Sequence, residues 1–355
     1  MSMVNINGVD YLETATRTKV LVTGLGGSIG VHVLDHLMLN TDWDVIGIDS
    51  FRHKGYFDRI SQTVEHNPEW IKRLKIIRHD LTTPISFRQV DDIGPVDYII
   101  NLASLADVWD SVANPVPFVR NNVELILTML EFARAVKPKA FIQFSTDEVY
   151  GPAKEDQAWG EWAPLVPSNP YSASKAAQEM IAISYWRSYG VPLIITNTMN
   201  NFGQFQGSSK YPVIIQKKLM ADEEITVHAS SNGDIGTRYY IHSRNVADAV
   251  LFILKNYPPY MHKAGEVDRP DKYNIVGNAQ VDNLELAKTI ARLMGKELKY
   301  KLLDFHSEEP GHDLHYGLDG TKLAQLGWEP PVTFEDSLKA TIDWQLENPK
   351  WIAEA

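Results

Sequence analysis

Short apolar strands alternate with helical patterns through residues 19–200, a glycine-rich turn follows the first strand, and an aspartate ends the second. Together these predict an α/β fold, a Rossmann-type doubly wound parallel sheet with a smaller mixed α/β C-terminal substrate-binding domain. Residues 1–18 then form an N-terminal extension. Residues 19–200 form a dinucleotide-binding domain that also receives later segments near 235–255, and 201–355 form mainly the substrate domain, interleaved with the first.

The first regular element is KVLVTG, Lys19 to Gly24, a strand that runs into GLGGSIG and then a helix with Ile29, Val33, Leu34 and Leu37 at helical spacing. Gly24, Gly27 and Gly30 let the backbone turn tightly and approach a pyrophosphate, which rests on the free amides around Ser28 and Ile29 and on the positive end of the helix. DVIGID supplies the second strand and ends in Asp49, 19 residues past Gly30, where a carboxylate accepts hydrogen bonds from a ribose diol. That spacing favours NAD. Arg52 and Lys54 lie close by and pull the other way, since a basic group there suits a 2′-phosphate.

LKIIRHD reads as a third strand leading to Asp80 and Leu81, and VDYIINLAS as a fourth, with Leu102, Ala103 and Ser104 at its end. From Asn114 a long helix carries Leu125, Ile126, Met129, Leu130 and Ala133 over a wide apolar arc, which reads either as core or as a subunit interface shared with a later helix.

AFIQF at Ala140 to Phe144 reads as a buried parallel strand that delivers Thr146, Asp147 and Glu148 at its carboxyl end, where open α/β sheets hold ligands. Two confined carboxyl groups do not easily both ionise, so their pKa values are expected to be pushed apart, one group serving as acid and the other as base. About twenty residues on, SNPYSASK opens a helix that Ser168 or Asn169 can cap, with Pro170 at its first position. Tyr171 and Lys175 stand four apart on one face, so the ammonium is expected to lower the phenol's pKa. A further buried strand, Val191 to Thr196, leads to Asn200 and Asn201. Lys210, Arg238 and His312 then lie among shorter elements, with Arg238 suited to phosphate.

Composition limits what such a site can serve. A net charge of -11, from 34 basic against 45 acidic residues, argues against nucleic acid as a partner. The absence of cysteine excludes disulfides, thiolate metal sites and cysteine nucleophiles, and no metal site is expected. No apolar run approaches the roughly 18 residues of a membrane span, and Met1 to Lys19 lacks the apolar core of a signal peptide, so a cytoplasmic protein without membrane contact is expected.

TGLGGSIG, Asp49, STDEVYG, NPYSASKAAQEM, TNTMNNFG, Arg238, YNIVG with Asn283 beyond it, and PGHD resemble the extended short-chain dehydrogenase/reductase family, and within it the nucleotide-sugar 4,6-dehydratases. The resemblance runs from about Lys19 to the C-terminus, and its most discriminating element is Thr146-Asp147-Glu148. It implies an NAD enzyme, a homodimer, acting on a nucleotide diphosphate sugar. Tyr171 would take the proton of the sugar 4-hydroxyl while C4 gives a hydride to NAD, Glu148 the C5 proton, and Asp147 would protonate the departing C6 hydroxyl before the hydride returns to C6. Lys175 would hold the nicotinamide ribose, Thr146 the sugar, and Asn200, Arg238, Asn283 and His312 the nucleotide. Glu309 before Pro310, the loop from Gly207 to Pro212 and the run from Leu105 to Ser111 depart from the family pattern around the substrate. A C4 epimerase would share Tyr171 and the cofactor but needs no acidic pair, and a non-catalytic dinucleotide sensor needs neither.

Overall fold

The computed structural model describes residues 3–6, 9–12, 17–53, 55–154, 157–304 and 314–353. Seven parallel strands form the central sheet in the order Asp271–Ile275, Leu193–Thr198, Ala140–Thr146, Tyr98–Asn101, Lys19–Thr23, Asp44–Asp49, Leu74–Arg78. The order reverses between Lys19–Thr23 and Tyr98–Asn101, and such a reversal leaves a crevice at the carboxyl ends of the strands. Successive residues face opposite layers: Val20 and Val22 join one fully buried core, and Leu21 joins the other. That is why these strands read as continuous apolar runs rather than alternating ones.

Helices Ser28–Asn40 and Ser243–Asn256 share the first core, and Pro115–Val136 and Pro170–Tyr189 share the second. The wide apolar arc of Pro115–Val136 is therefore largely core, with Leu125, Ile126, Met129 and Leu130 all buried. Segments near 235–255 divide. Ser243–Asn256 packs against the glycine-turn helix, while Thr237–His242 pairs with Asn200–Phe202 and Ala279–Asp282 in a separate three-stranded sheet. The seventh strand of the main sheet, Asp271–Ile275, comes from later in the chain.

A second region is built on that small sheet, on the parallel pair Ile225–Ala229 and Tyr300–Asp304, and on helices Tyr211–Met220, Asn283–Leu293 and Phe334–Glu347, around a core that includes Ile215, Val227, Leu286 and Leu338. Residues 3–6 and 9–12 pair as an antiparallel hairpin. No helix among the described residues is long and apolar enough to cross a membrane.

Candidate active site

The glycine turn is shaped by close approach. Gly24 has φ +68°, and a Cβ there would lie 3.1 Å from the Ala103 backbone. A Cβ on Gly30 would lie 2.2 Å from the Gly24 carbonyl oxygen. Only glycine fits either place. The Thr23 hydroxyl receives the amides of Leu102 and Ala103, each at 3.1 Å, which ties the turn to the end of the neighbouring strand. Helix Ser28–Asn40 starts at Gly27 with no side-chain cap. Its first amides and positive dipole end are thus presented to a cavity of about 780 Å³.

Gly24, Gly27, Ser28, Ile29, Gly30, Asp49, Asp80, Leu81, Leu102, Ala103, Ser104 and Lys210 all line this cavity. Asp49 accepts the amides of Gly26 and Phe51, both at 2.9 Å. Arg52, which by sequence competes with Asp49 for the character of the ribose site, is paired with Asp80 at 2.7 Å. Burial works to raise the Asp80 pKa, but hydrogen bonds from Thr82 and the Arg52 charge hold it below its ordinary value. Lys54 lies outside the described residues.

Sequence reasoning missed Arg59, which also lines the cavity. It is buried, donates to the Gly26 carbonyl at 2.9 Å and has its guanidinium 4.7 Å from the Tyr56 ring centre and 5.3 Å from that of Trp351. Its place in the charged helix Phe57–Glu65 makes it look like solvated surface, and only the fold turns it inward.

The acidic pair stands where the strand Ala140–Thr146 passes into a 3₁₀ turn, Asp147–Tyr150. The Thr146 hydroxyl donates to Asp147 Oδ1 at 2.9 Å, and Asp147 Oδ2, buried, has no hydrogen-bond partner among the described residues. Glu148, partly open, accepts from the Asn169 side-chain amide at 3.0 Å. Asn169 also caps the tyrosine helix through the Ser172 amide at 2.8 Å. Burial pushes Asp147 up to about 6, against the pull of Thr146 and Arg238. Glu148 rises to about 7, through burial and then through the Asp147 carboxylate beside it. Desolvation lifts both carboxyls, so the pair is raised together more than it is split.

Tyr171 lies in the same cluster, its phenol beside the Thr146 side chain and within reach of the Glu148 and Asp147 charges. Burial, followed by the Glu148 charge, raises its pKa above the ordinary tyrosine value. The expected lowering by Lys175 is not found. The buried Lys175 ammonium donates instead to the Phe144 carbonyl and to Gln178, both at 2.7 Å, and burial lowers its own pKa to about 7. Phe118 joins this cluster to the cavity: it lines the latter, and its ring meets Tyr171 edge-on at 6.3 Å.

Arg238 donates to the Thr237 and Leu314 carbonyls and lies over Tyr316, and its charge reaches both Asp147 and Glu148. Asn283 is beside it, across Gly236. Asn200 pairs with Tyr240 in the small sheet. Asn200, Arg238 and Asn283 are not among the lining of the large cavity. His312 and Glu309 lie outside the described residues. Chemically, the cluster offers a phenol and two carboxyls able to exchange protons at neighbouring atoms; none of the three lines the large cavity, and Phe118 lies between the two.

Comparison with known proteins agrees with this geometry. The family model described as GDP-mannose 4,6 dehydratase matches residues 21–341. The chain is 31% identical to the dTDP-glucose 4,6-dehydratase of Escherichia coli, covering 94% of this chain and 95% of that one. It is also 31% identical to a trifunctional UDP-glucose 4,6-dehydratase/UDP-4-keto-6-deoxy-D-glucose 3,5-epimerase/UDP-4-keto-L-rhamnose-reductase of Arabidopsis thaliana, where 96% of this chain spans about half, 49%, of the relative. Among solved structures, a dTDP-glucose 4,6-dehydratase from Streptomyces venezuelae crystallised with NAD bound superposes with a TM-score of 0.80 at 28% identity, over 94% of this chain and 98% of that one. With 321 consecutive positions matched, the chain belongs to the GDP-mannose 4,6 dehydratase family of extended short-chain dehydrogenases/reductases, a 4,6-dehydratase-like enzyme.

Proposed function

We propose that the protein is an NAD-dependent nucleotide-sugar 4,6-dehydratase that converts a nucleoside diphosphate hexose of the glucose type to its 4-keto-6-deoxy product. The observation that carries this reading is the raised, adjacent carboxyl pair at Asp147 and Glu148 beside Tyr171. A C4 epimerase needs the tyrosine but has no proton to take from C5 and no hydroxyl to expel from C6.

The uncapped glycine turn fits a dinucleotide diphosphate, and Asp49 and Asp80 place two carboxylates where a 2′-phosphate would be repelled, which favours NAD. When bound, NAD supplies a hydride acceptor at C4 and a donor at C6. The chain's own residues move the protons. Tyr171 Oη takes the proton of the sugar 4-hydroxyl, which requires a phenolate, so the Lys175 ammonium must leave the Phe144 carbonyl and turn toward the ring. Glu148 takes the C5 proton, Asp147 gives one to the departing C6 hydroxyl, and once C6 has received the hydride Glu148 returns a proton to C5.

Both carboxyls are raised toward neutrality, so the pair titrates together there. Productive elimination needs Glu148 ionised and the proton on Asp147 once the sugar is in place. Arg238 lies near enough to act on both carboxylates and is assigned to the substrate diphosphate, with Lys210 on the cavity side. Incubation with GDP-, UDP- and dTDP-hexoses followed by mass spectrometry tests the reading. Loss of one water from one of them is the expected result, and a mass-neutral change of stereochemistry in its place would give the reaction to an epimerase.

A further inference from the structure

Beneath the acidic turn lies an ion pair that the roles above leave unused. Glu179, on the tyrosine helix, meets Lys272 of the strand Asp271–Ile275 at 2.7 Å, and their side chains are 0% and 1% exposed. Withdrawing two charges from water is costly, and a well-packed apolar pair of similar volume often serves stability as well or better. The connections of the pair suggest another use.

Glu179 Oε1 accepts from Asn197 Nδ2 at 3.0 Å, and the same amide group donates to the Thr146 carbonyl at 2.9 Å. Thr146 is the last residue before Asp147. On the other side, the Lys272 ammonium stands 4.7 Å from the centre of the Tyr150 ring, the last residue of the same turn. Tyr150 is buried, and its hydroxyl donates to the Glu161 carbonyl at 3.0 Å. One buried ion pair thus grips the turn at both ends, with Asp147 and Glu148 between the two grips.

We propose that Glu179 and Lys272 are positioning residues for the acid–base step: through Asn197 and Tyr150 they fix the turn so that the two carboxyls meet the sugar in register. This rests on the function proposed above. Proton transfer is sensitive to placement, and a displacement of about 1 Å can cost on the order of a hundredfold in rate.

The test is the double variant Glu179→Met/Lys272→Met, which removes both charges and the acceptor for Asn197 while keeping most of the volume. It is expected to melt near the wild-type temperature, to lose about ten- to a hundredfold in kcat at unchanged KM, and to show roughly tenfold faster amide hydrogen exchange in the peptide 144–151 but not in the rest of the sheet. Asn197→Ala cuts the link to Thr146 and takes one hydrogen bond from Glu179 but leaves both charges of the ion pair in place, and it is expected to reproduce the same local loosening should the double variant fail to fold. Wild-type exchange at 144–151, with kcat within about threefold, would reduce the pair to a structural contact and overturn the inference. If the wild-type protein removes water from no nucleotide hexose, the proposed function falls, while exchange at 144–151 still decides whether the pair holds the turn.

Discussion

Asn169 holds Glu148 with one end of its side chain and the tyrosine helix with the other: Nδ2 donates to Glu148 Oε2 at 3.0 Å, and Oδ1 accepts the Ser172 amide at 2.8 Å. A single amide therefore sets the proposed base against the helix that carries Tyr171. Asn169→Ser separates the two tasks, because serine caps about as well as asparagine but cannot reach Glu148 with a donor of the same length. Stability should stay within about 0.5 kcal/mol of wild type while kcat falls roughly tenfold. Unchanged kcat in a stable variant would show that the contact with Glu148 plays no part in turnover.

Gly30→Ala places a methyl group 2.2 Å from the Gly24 carbonyl oxygen and 2.8 Å from that of Leu25, so the turn must open. Forcing atoms into so tight a site costs about 1–3 kcal/mol, and the cost falls on the diphosphate cradle. The purified variant should keep its helix and strand content by circular dichroism yet carry much less dinucleotide than wild type. Equal dinucleotide content would move the cofactor away from this turn.

Tyr171→Phe removes the hydroxyl beside Thr146 and adds no bulk. Turnover should drop by about 10² to 10⁴, with the melting temperature and cofactor content nearly unchanged. Activity within about threefold of wild type would mean that another group takes the proton of the sugar 4-hydroxyl.

The pair also makes stability depend on pH. Asp147 and Glu148 keep their protons in the folded chain up to about 6 and about 7, well above the range in which the unfolded chain releases them. Their contribution is whole below about pH 4 and is lost as pH rises through those two values. Wild type should therefore lose melting temperature between about pH 5 and pH 8, and Glu148→Gln, which cannot ionise, should lose less. Parallel curves for the two proteins would place the pH dependence elsewhere.

The parts of this architecture that are legible in the sequence depend on short-range patterns. Gly24 and Gly30 mark their turn because a positive φ at the first and close backbone contact at the second call for glycine, and the run at Ala140 to Phe144 marks a strand because both its faces are covered. What the sequence hides is contact between distant segments. Asn169 signals a cap but gives no sign of its second bond, 21 residues back at Glu148. Lys272 in DKYNI looks like a solvated residue at the sheet edge, yet it is buried against Glu179, 93 residues away. Lys175 is misleading in a different way: its spacing from Tyr171 is right, but the Phe144 carbonyl of the neighbouring strand and the Gln178 amide oxygen capture its ammonium.

The central claim is that the acidic pair runs the elimination, and the most direct measurement is deuterium uptake at C5 during turnover in heavy water. With the hexose nucleotide that wild type dehydrates, the wild-type product should carry deuterium at C5, because the proton held by Glu148 exchanges with solvent. Glu148→Gln, whose amide cannot accept that proton, should still oxidise C4 yet give little dehydrated product and no label at C5. Full dehydration with C5 labelling by Glu148→Gln would contradict the account and take Glu148 out of the chemistry.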